Sequence, residues 1–416
     1  MDEALPRSIE TVVIGAGQAG LIMSWHLQRA GRPHVVLDRR ETLGGGWQDR
    51  WDGFVLVTPN HRTELPGFPY DGADPDGFMA RDAIAARVRS YADVIAAPVH
   101  PSTEVRRLRV PGGGGHRFRL ETSDGPIDAD TVIVATGPFH RPRIPAAAAD
   151  LPSRITQLHS HDYRAVSQLP PGGVLVIGSG QTGVQLAEEL REAGREVYLS
   201  VGHCGRVPRR YRGQDLFRWL RHLATRGAEF DAALPTVDQL PDQRMWFAGN
   251  PHLSGHHGGH DTNLRQMALD GTHLVGRFVS ADGEHARFGA DLAANLRFAD
   301  DFFDMRFRTL IDTFVERAGI EAGPDNRAWP VFEPPEVTEL DLAKAGISSV
   351  LWTTGYAPDY AWLELPILDD FGVPRHVRGI SKVPGLTFIG LLWQHNLLSA
   401  NLVGVDLDAE YLAATW

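Results

Sequence analysis

Two kinds of segment alternate along this 416-residue chain. Short β-branched runs without polar interruption read as parallel strands buried on both faces. Longer stretches with apolar residues every three or four positions read as helices. The first strand is Thr11-Val12-Val13-Ile14. The turn Gly15-Ala16-Gly17-Gln18-Ala19-Gly20 follows at once, and a helix then places Ala19, Ile22, Met23 and Leu27 on one face. Ala30-Gly31 ends that helix, glycine being a common left-handed cap. The next strand is His34–Leu37, closed by Asp38.

The same order recurs. Val174-Leu175-Val176-Ile177 leads into Gly178-Ser179-Gly180-Gln181-Thr182-Gly183, then a helix ending at Ala193-Gly194, then Val197–Ser200. Each unit also has a distal strand: residues 131–134 run into Ala135-Thr136-Gly137, and residues 349–352 into Thr353-Thr354-Gly355. The second unit is longer, and its extra residues are expected within about 206–330, where 291–319 has a helical pattern. Pro111-Gly112-Gly113-Gly114-Gly115 and Ser123-Asp124-Gly125 read as hairpin turns. The expected fold is doubly wound α/β with two Rossmann-like units, each carrying a three-strand meander. The first unit is expected to be discontinuous, 1–165 and 346–416, with the second at 166–345 and its insert covering the cleft between them.

A glycine turn of this kind suits a dinucleotide pyrophosphate. The first glycine permits the turn, the second lets backbone approach phosphate, and the third lets helix and strand pack. The helix N-terminus then offers free amides to the anion. A single such turn is also compatible with a plain strand–helix connection, but two copies in matching context point to two dinucleotides. Asp38, 23 positions after Gly15, can accept ribose hydroxyls and repels a 2′-phosphate. The second unit has Ser200, 22 positions after Gly178, followed by Arg206, Arg209, Arg210 and Arg212. That combination favours NADPH over NADH, because guanidinium groups pair with phosphate; a solvated arginine loop is the alternative.

Composition narrows the rest. A formal net charge of −11 argues against nucleic acid or anionic membrane as the main partner. The single cysteine, Cys204, permits neither an internal disulfide nor a dithiol redox pair. This fits a reducing compartment, and with no signal-like N-terminus or long apolar run the expectation is cytoplasmic. His256-His257-Gly258-Gly259-His260-Asp261 has histidines but no supporting ligand pair, so a glycine-rich loop lining the cleft is expected rather than a metal site. Phe217, Trp219, Trp246 and Phe247 read as core or cleft wall.

Together these residues resemble the flavin-containing monooxygenase and Baeyer–Villiger monooxygenase group, and more closely its bacterial FAD/NAD(P)-dependent oxidoreductases. The resemblance spans nearly the whole chain. Leu43-Gly44-Gly45-Gly46-Trp47 matches the group's G-G-x-W, Gly137 and Thr354-Gly355-Tyr356 match its two distal turns, and Gly385-Leu386-Thr387-Phe388-Ile389-Gly390 matches its C-terminal strand. His159 and Tyr163 match part of the group's signature, but Ser153 and Ile155 replace its phenylalanine and glycine. The resemblance therefore does not choose between Baeyer–Villiger insertion, heteroatom oxidation and hydroxylation. His159 reads either as a linker histidine bonded to backbone or as a coupler of the two units.

The resemblance implies FAD on the first loop, NADPH on the second, and O2 adding at the flavin C4a to form a (hydro)peroxide that attacks a small organic substrate. It implies cofactor contacts from Gly45, Trp47, Asn60, His61, Gly137, Thr354, Gly355 and Gly390. Asn60 is the candidate catalytic residue, near the flavin C4a edge; an Asx turn after Pro59 is its other reading. Two alternatives stand beside the monooxygenase: a reductase passing electrons to a non-disulfide acceptor, and a non-catalytic flavin redox sensor. A homodimer is compatible with all three.

Overall fold

The computed structural model describes residues 5–111, 116–247 and 250–415. The glycine run at 112–115 lies outside them, and so do the side chains of Arg244 and Phe247. Strand β1 (Ser8–Ile14) enters helix α1 (Gln18–Arg29) through the first glycine turn, and β2 (His34–Leu37) follows. Next come α2 (Arg81–Val94), β3 (Val99–His100), and a meander of β4 (Val105–Arg109), β5 (Phe118–Thr122) and β6 (Gly125–Val134). The chain then crosses out through β7 (Arg141–Pro142).

The second unit runs β8 (Thr156–His159), β9 (Gly173–Ile177), α3 (Gln181–Glu192) and β10 (Val197–Ser200). A small hairpin, β11 (Arg210–Tyr211) and β12 (Gln214–Asp215), leads into α4 (Leu216–Arg226) and later α5 (Leu264–Leu269). Strands β13 (His273–Val275), β14 (Phe278–Asp282) and β15 (His285–Phe288) precede α6 (Leu292–Phe303), which continues through a π turn at Asp304–Arg308 into α7 (Thr309–Arg317). Strands β16 (Glu339–Asp341) and β17 (Ile347–Trp352) close the unit. The chain returns through β18 (Tyr356–Ala357), β19 (His376–Val377), β20 (Ile380–Ser381), β21 (Leu386–Phe388) and α8 (Val405–Ala413).

The two units share one plan. Five parallel strands run β21-β6-β1-β2-β3 in the first sheet and β8-β17-β9-β10-β13 in the second. The central strands are apolar because both faces are covered, one by helices and the other by the meander: Val12 and Val13 in β1, and Val174, Leu175 and Val176 in β9, are completely buried. Each unit has a three-stranded antiparallel meander, β4-β5-β6 in the first and β14-β15-β16 in the second.

Two expectations change. Strands β8 and β17 pair inside the second sheet, so boundaries at 165 and 346 move outward to the β7–β18 ladder, where both crossings pair with each other. The 206–330 stretch is also not one insert. Its β13 completes the second sheet, and β14 and β15 belong to the meander.

Candidate functional site

Both glycine turns end strands at the same edge of their sheets, and both open on one cavity of about 1090 Å³. A pocket this large suits extended ligands. Gly15 and Gly178 have φ of +107° and +109°, so each turn needs a residue free of the Cβ clash. Gly17 faces Gly45, and a Cβ added at Gly45 would stand 3.0 Å from Gly17 Cα. Neither α1 nor α3 has a side-chain N-cap or an acid in its first turn. Their first amides therefore remain open to an anion.

At the first turn, Asp38 accepts hydrogen bonds from the Ala16 N–H at 2.7 Å and the Arg40 N–H at 2.9 Å. Each carboxylate oxygen keeps a further lone pair. The Trp47 indole donates to Gln18 Oε1 at 3.0 Å, and Gln18 Nε2 donates to the Ala400 carbonyl at 3.3 Å. Glutamine 18 thus ties the C-terminal segment over the start of α1. Gln181 does the same in the second unit, clamping Leu253 through both its backbone N–H and its carbonyl.

Of the residues singled out by sequence, Gly15, Gly17, Gln18, Ala19, Asp38, Gly45, Trp47, Gly137, Gly180, Gln181, Thr182, Gly355 and Gly390 line the cavity. Gly20, Gly178 and Gly183 stand behind it, where a side chain would strike backbone. The others have different partners. Asn60 does not line the cavity and donates its amide N–H to the Asp74 carbonyl at 2.8 Å, and His61 bonds the Pro75 carbonyl. Both hold the 70–77 loop. The Thr354 hydroxyl is taken by the Arg143 carbonyl. Ser179 accepts the Gly202 N–H at 3.0 Å, and its carbonyl is bound by His252, whose burial pulls its pKa down to about 4.

Ser200 requires a correction of register. Ile14 pairs with Leu37 and Ile177 with Ser200, so Ser200 matches Leu37, and buried Val201 stands in the place of Asp38. The buried Ser200 hydroxyl donates to the Gly276 carbonyl at 3.0 Å and accepts the Phe278 N–H at 2.9 Å, so its proton is spent on backbone.

The arginines are corrected too. Arg206 is buried, pairs with Asp300 at 2.8 Å and lies 3.7 Å from the Trp329 ring centroid. Arg209 is buried, pairs with Asp215 at 2.7 Å and donates to the Val57 carbonyl at 2.7 Å. Arg210 is exposed on β11, outside the cavity. Internal carboxylates therefore answer the charge of Arg206 and Arg209.

The histidine loop does not line the cavity either. It packs on α3, where His257 pairs with Glu192 and His260 with Glu188. Among the described residues no group of three or more potential ligands could hold a metal ion. His159 is buried and bonds the Gly355 carbonyl at 3.1 Å, joining β8 to the distal turn of the second sheet.

The sequence reading placed Phe217 and Trp246 in core or cleft wall, and both line the cavity, but it missed the rest of the far wall. Val207, Leu216, Phe217, Leu220, Leu253, Phe307 and Leu398 form one apolar surface there, with Trp246 beside it. Trp219 is core, bonded to the Tyr211 carbonyl. The π turn carries Phe307 into this wall, as such turns do near functional sites. Cys204 is buried nearby, its Sγ 3.4 Å from the Asn250 carbonyl and its pKa pushed up to about 12 by burial.

Residues 12–211 match the pyridine nucleotide-disulphide oxidoreductase family. A CzcO-like uncharacterized oxidoreductase from Geobacillus kaustophilus is 31% identical over 406 residues, 97% of each chain. A Baeyer–Villiger monooxygenase from Streptomyces coelicolor is 29% identical over 201 residues, 45% of this chain and 37% of that protein. The solved flavin-containing monooxygenase from Stenotrophomonas maltophilia superposes with a TM-score of 0.64 at 20% identity, covering 99% of this chain and 98% of that one. With a relative matched along nearly its full length and both dinucleotide units in place, the chain belongs to the CzcO-like oxidoreductases of the flavin-containing and Baeyer–Villiger monooxygenase group.

Proposed function

We propose that this chain is a flavin-dependent monooxygenase that uses FAD, NADPH and O2 to oxygenate a small, uncharged organic compound. The observation that carries this reading is the single cavity shared by both glycine turns and closed by an apolar wall. The donors present fit two dinucleotides: bare backbone at Gly17 and Gly45, uncapped amides on α1 and α3, and an acid at only one strand tip. FAD, when bound, supplies hydride acceptance from NADPH and transfer of one oxygen atom from O2.

The chain's own groups bind and orient. The first amides of α1 and α3 receive the pyrophosphates. Asp38 takes ribose hydroxyls on its remaining lone pairs. Between α3 and β17, no charged side chain among the described residues lines the cavity. Leu216, Phe217, Leu220 and Phe307 exclude water there and favour an apolar body.

The test is NADPH consumption under isotopically labelled oxygen with a panel of neutral thioethers and ketones. Label in a product supports the reading. NADPH consumption with hydrogen peroxide as the only oxygen product, across the whole panel, indicates a reductase instead.

A further inference from the structure

One cation in the cavity wall, Arg50, makes no ion pair among the described residues. The Arg50 guanidinium lies 5.7 Å from the Phe54 ring centroid and 5.1 Å from that of Phe139. Its Nε is buried without a hydrogen-bond partner. The neighbouring Asp49 is bonded by Arg40 instead. Arg106, Arg107 and Arg141 also line the cavity, and each pairs with a carboxylate: Glu104, Glu364 and Asp359. Arg39 is exposed to solvent. Arg50 thus differs from every other arginine of this wall.

Arg50 is half-buried with its Nε shut off from water; a guanidinium does not shed its proton, and desolvating it without an anion is costly. Burial opposes the Arg50 charge more than Tyr356 and Asp49 support it. Such a group is retained where an anion arrives. Position narrows which anion. Arg50 follows Trp47, whose indole is fixed to Gln18 at the start of α1. Phe139 follows the Gly137 turn, and its ring meets Tyr356 of the Gly355 turn at 5.2 Å. Arg50 therefore stands in the cavity wall where the two distal turns meet.

We propose that Arg50 receives a dinucleotide pyrophosphate, its planar fork holding two phosphoryl oxygens. This rests on the reading of the cavity as a dinucleotide site. The shared chemistry is the pyrophosphate, and its source is either the flavin or the nicotinamide dinucleotide.

The experiment compares the full chain with Arg50→Gln and Arg50→Lys. Equilibrium dialysis measures FAD affinity after flavin removal, and calorimetry measures NADP+ affinity on the reconstituted protein; neither needs turnover. Arg50→Gln is expected to weaken one of the two by about tenfold or more, as loss of a charge-assisted pair would. The dinucleotide affected names the source. Arg50→Lys is expected to fall between, since lysine keeps the charge and loses the fork. Both affinities within about twofold of the parent in Arg50→Gln overturn the proposal. If that variant does not fold, Arg50→Lys decides: about threefold weakening of one dinucleotide supports the proposal, and no change overturns it. If the parent binds neither dinucleotide, the reading of the cavity fails and this proposal fails with it.

Discussion

A methyl group added at Gly20 would stand 1.9 Å from the carbonyl of Gly15, and one added at Gly183 would stand 1.9 Å from that of Gly178. The two turns are the same piece of backbone. They differ at the strand tip beside them. In the first unit the Asp38 side chain takes the backbone N–H of Ala16; in the second the Ser179 side chain takes the backbone N–H of Gly202. The tie runs in opposite directions, and only the first leaves a carboxylate at the cavity. Glycines set the shape of a phosphate turn, while one side chain at the tip sets which ribose it accepts.

That contrast can be broken first at the buried arginines. Arg209→Met leaves Asp215 and the Val57 carbonyl without their partner. Removing one member of a buried pair costs about 3–5 kcal/mol. A large fall in melting temperature is expected, with the preference for NADPH over NADH unchanged in whatever protein remains folded. A change in that preference without lost stability would return Arg209 to the cofactor. Next come the paired substitutions Gly20→Ala and Gly183→Ala, each about 2–3 kcal/mol from overpacking against backbone. The first is expected to lose flavin absorbance. The second is expected to keep flavin and lose NADP+ binding in calorimetry. Identical losses in both would mean the turns do not divide the cofactors.

Ser200→Ala is smaller. It unties β10 from the Gly276 and Phe278 backbone and costs about 1–2 kcal/mol in denaturant unfolding. The KM for NADPH should not move. The smallest effect concerns pH. Hydrogen bonding to Glu188 raises the His260 pKa from 6.5 to about 9. The pair's stabilisation is thus fully present below pH 6.5 and fades as pH rises through about 9. Melting temperature should decline slightly across that window, and His260→Gln should flatten the decline.

How far the sequence reveals this molecule depends on what each residue type reports. Uninterrupted β-branched runs and turn glycines report backbone, and they located β1, β2, β9, β10 and both turns. Side-chain partners are another matter. Arg206 reads as a free cation until Asp300 folds against it from α6. Arg209 reads the same way, although Asp215 lies only a short hairpin away. Ser200 was misplaced by a one-residue slip that spacing cannot detect and strand pairing can. Asn60 sits in the expected loop, but its amide direction depends on the 70–77 segment. Beyond Phe217 and Trp246, the apolar wall was invisible because its residues come from α4, the π turn and the C-terminal segment, none with a motif.

The parallel order of the first sheet has a consequence for synthesis. Strand β6 is flanked by β1, made early, and by β21, made near the end. The second sheet draws all five strands from one uninterrupted stretch, β8 through β17. On the ribosome, the second unit can therefore close while the first still waits for a strand. Gly390, which packs beside Ala19 at the mouth of the first turn, arrives with that strand. A nascent chain halted before β21 would hold a finished second sheet and an open first one, so the ligand of the first turn would be the later of the two to find its seat.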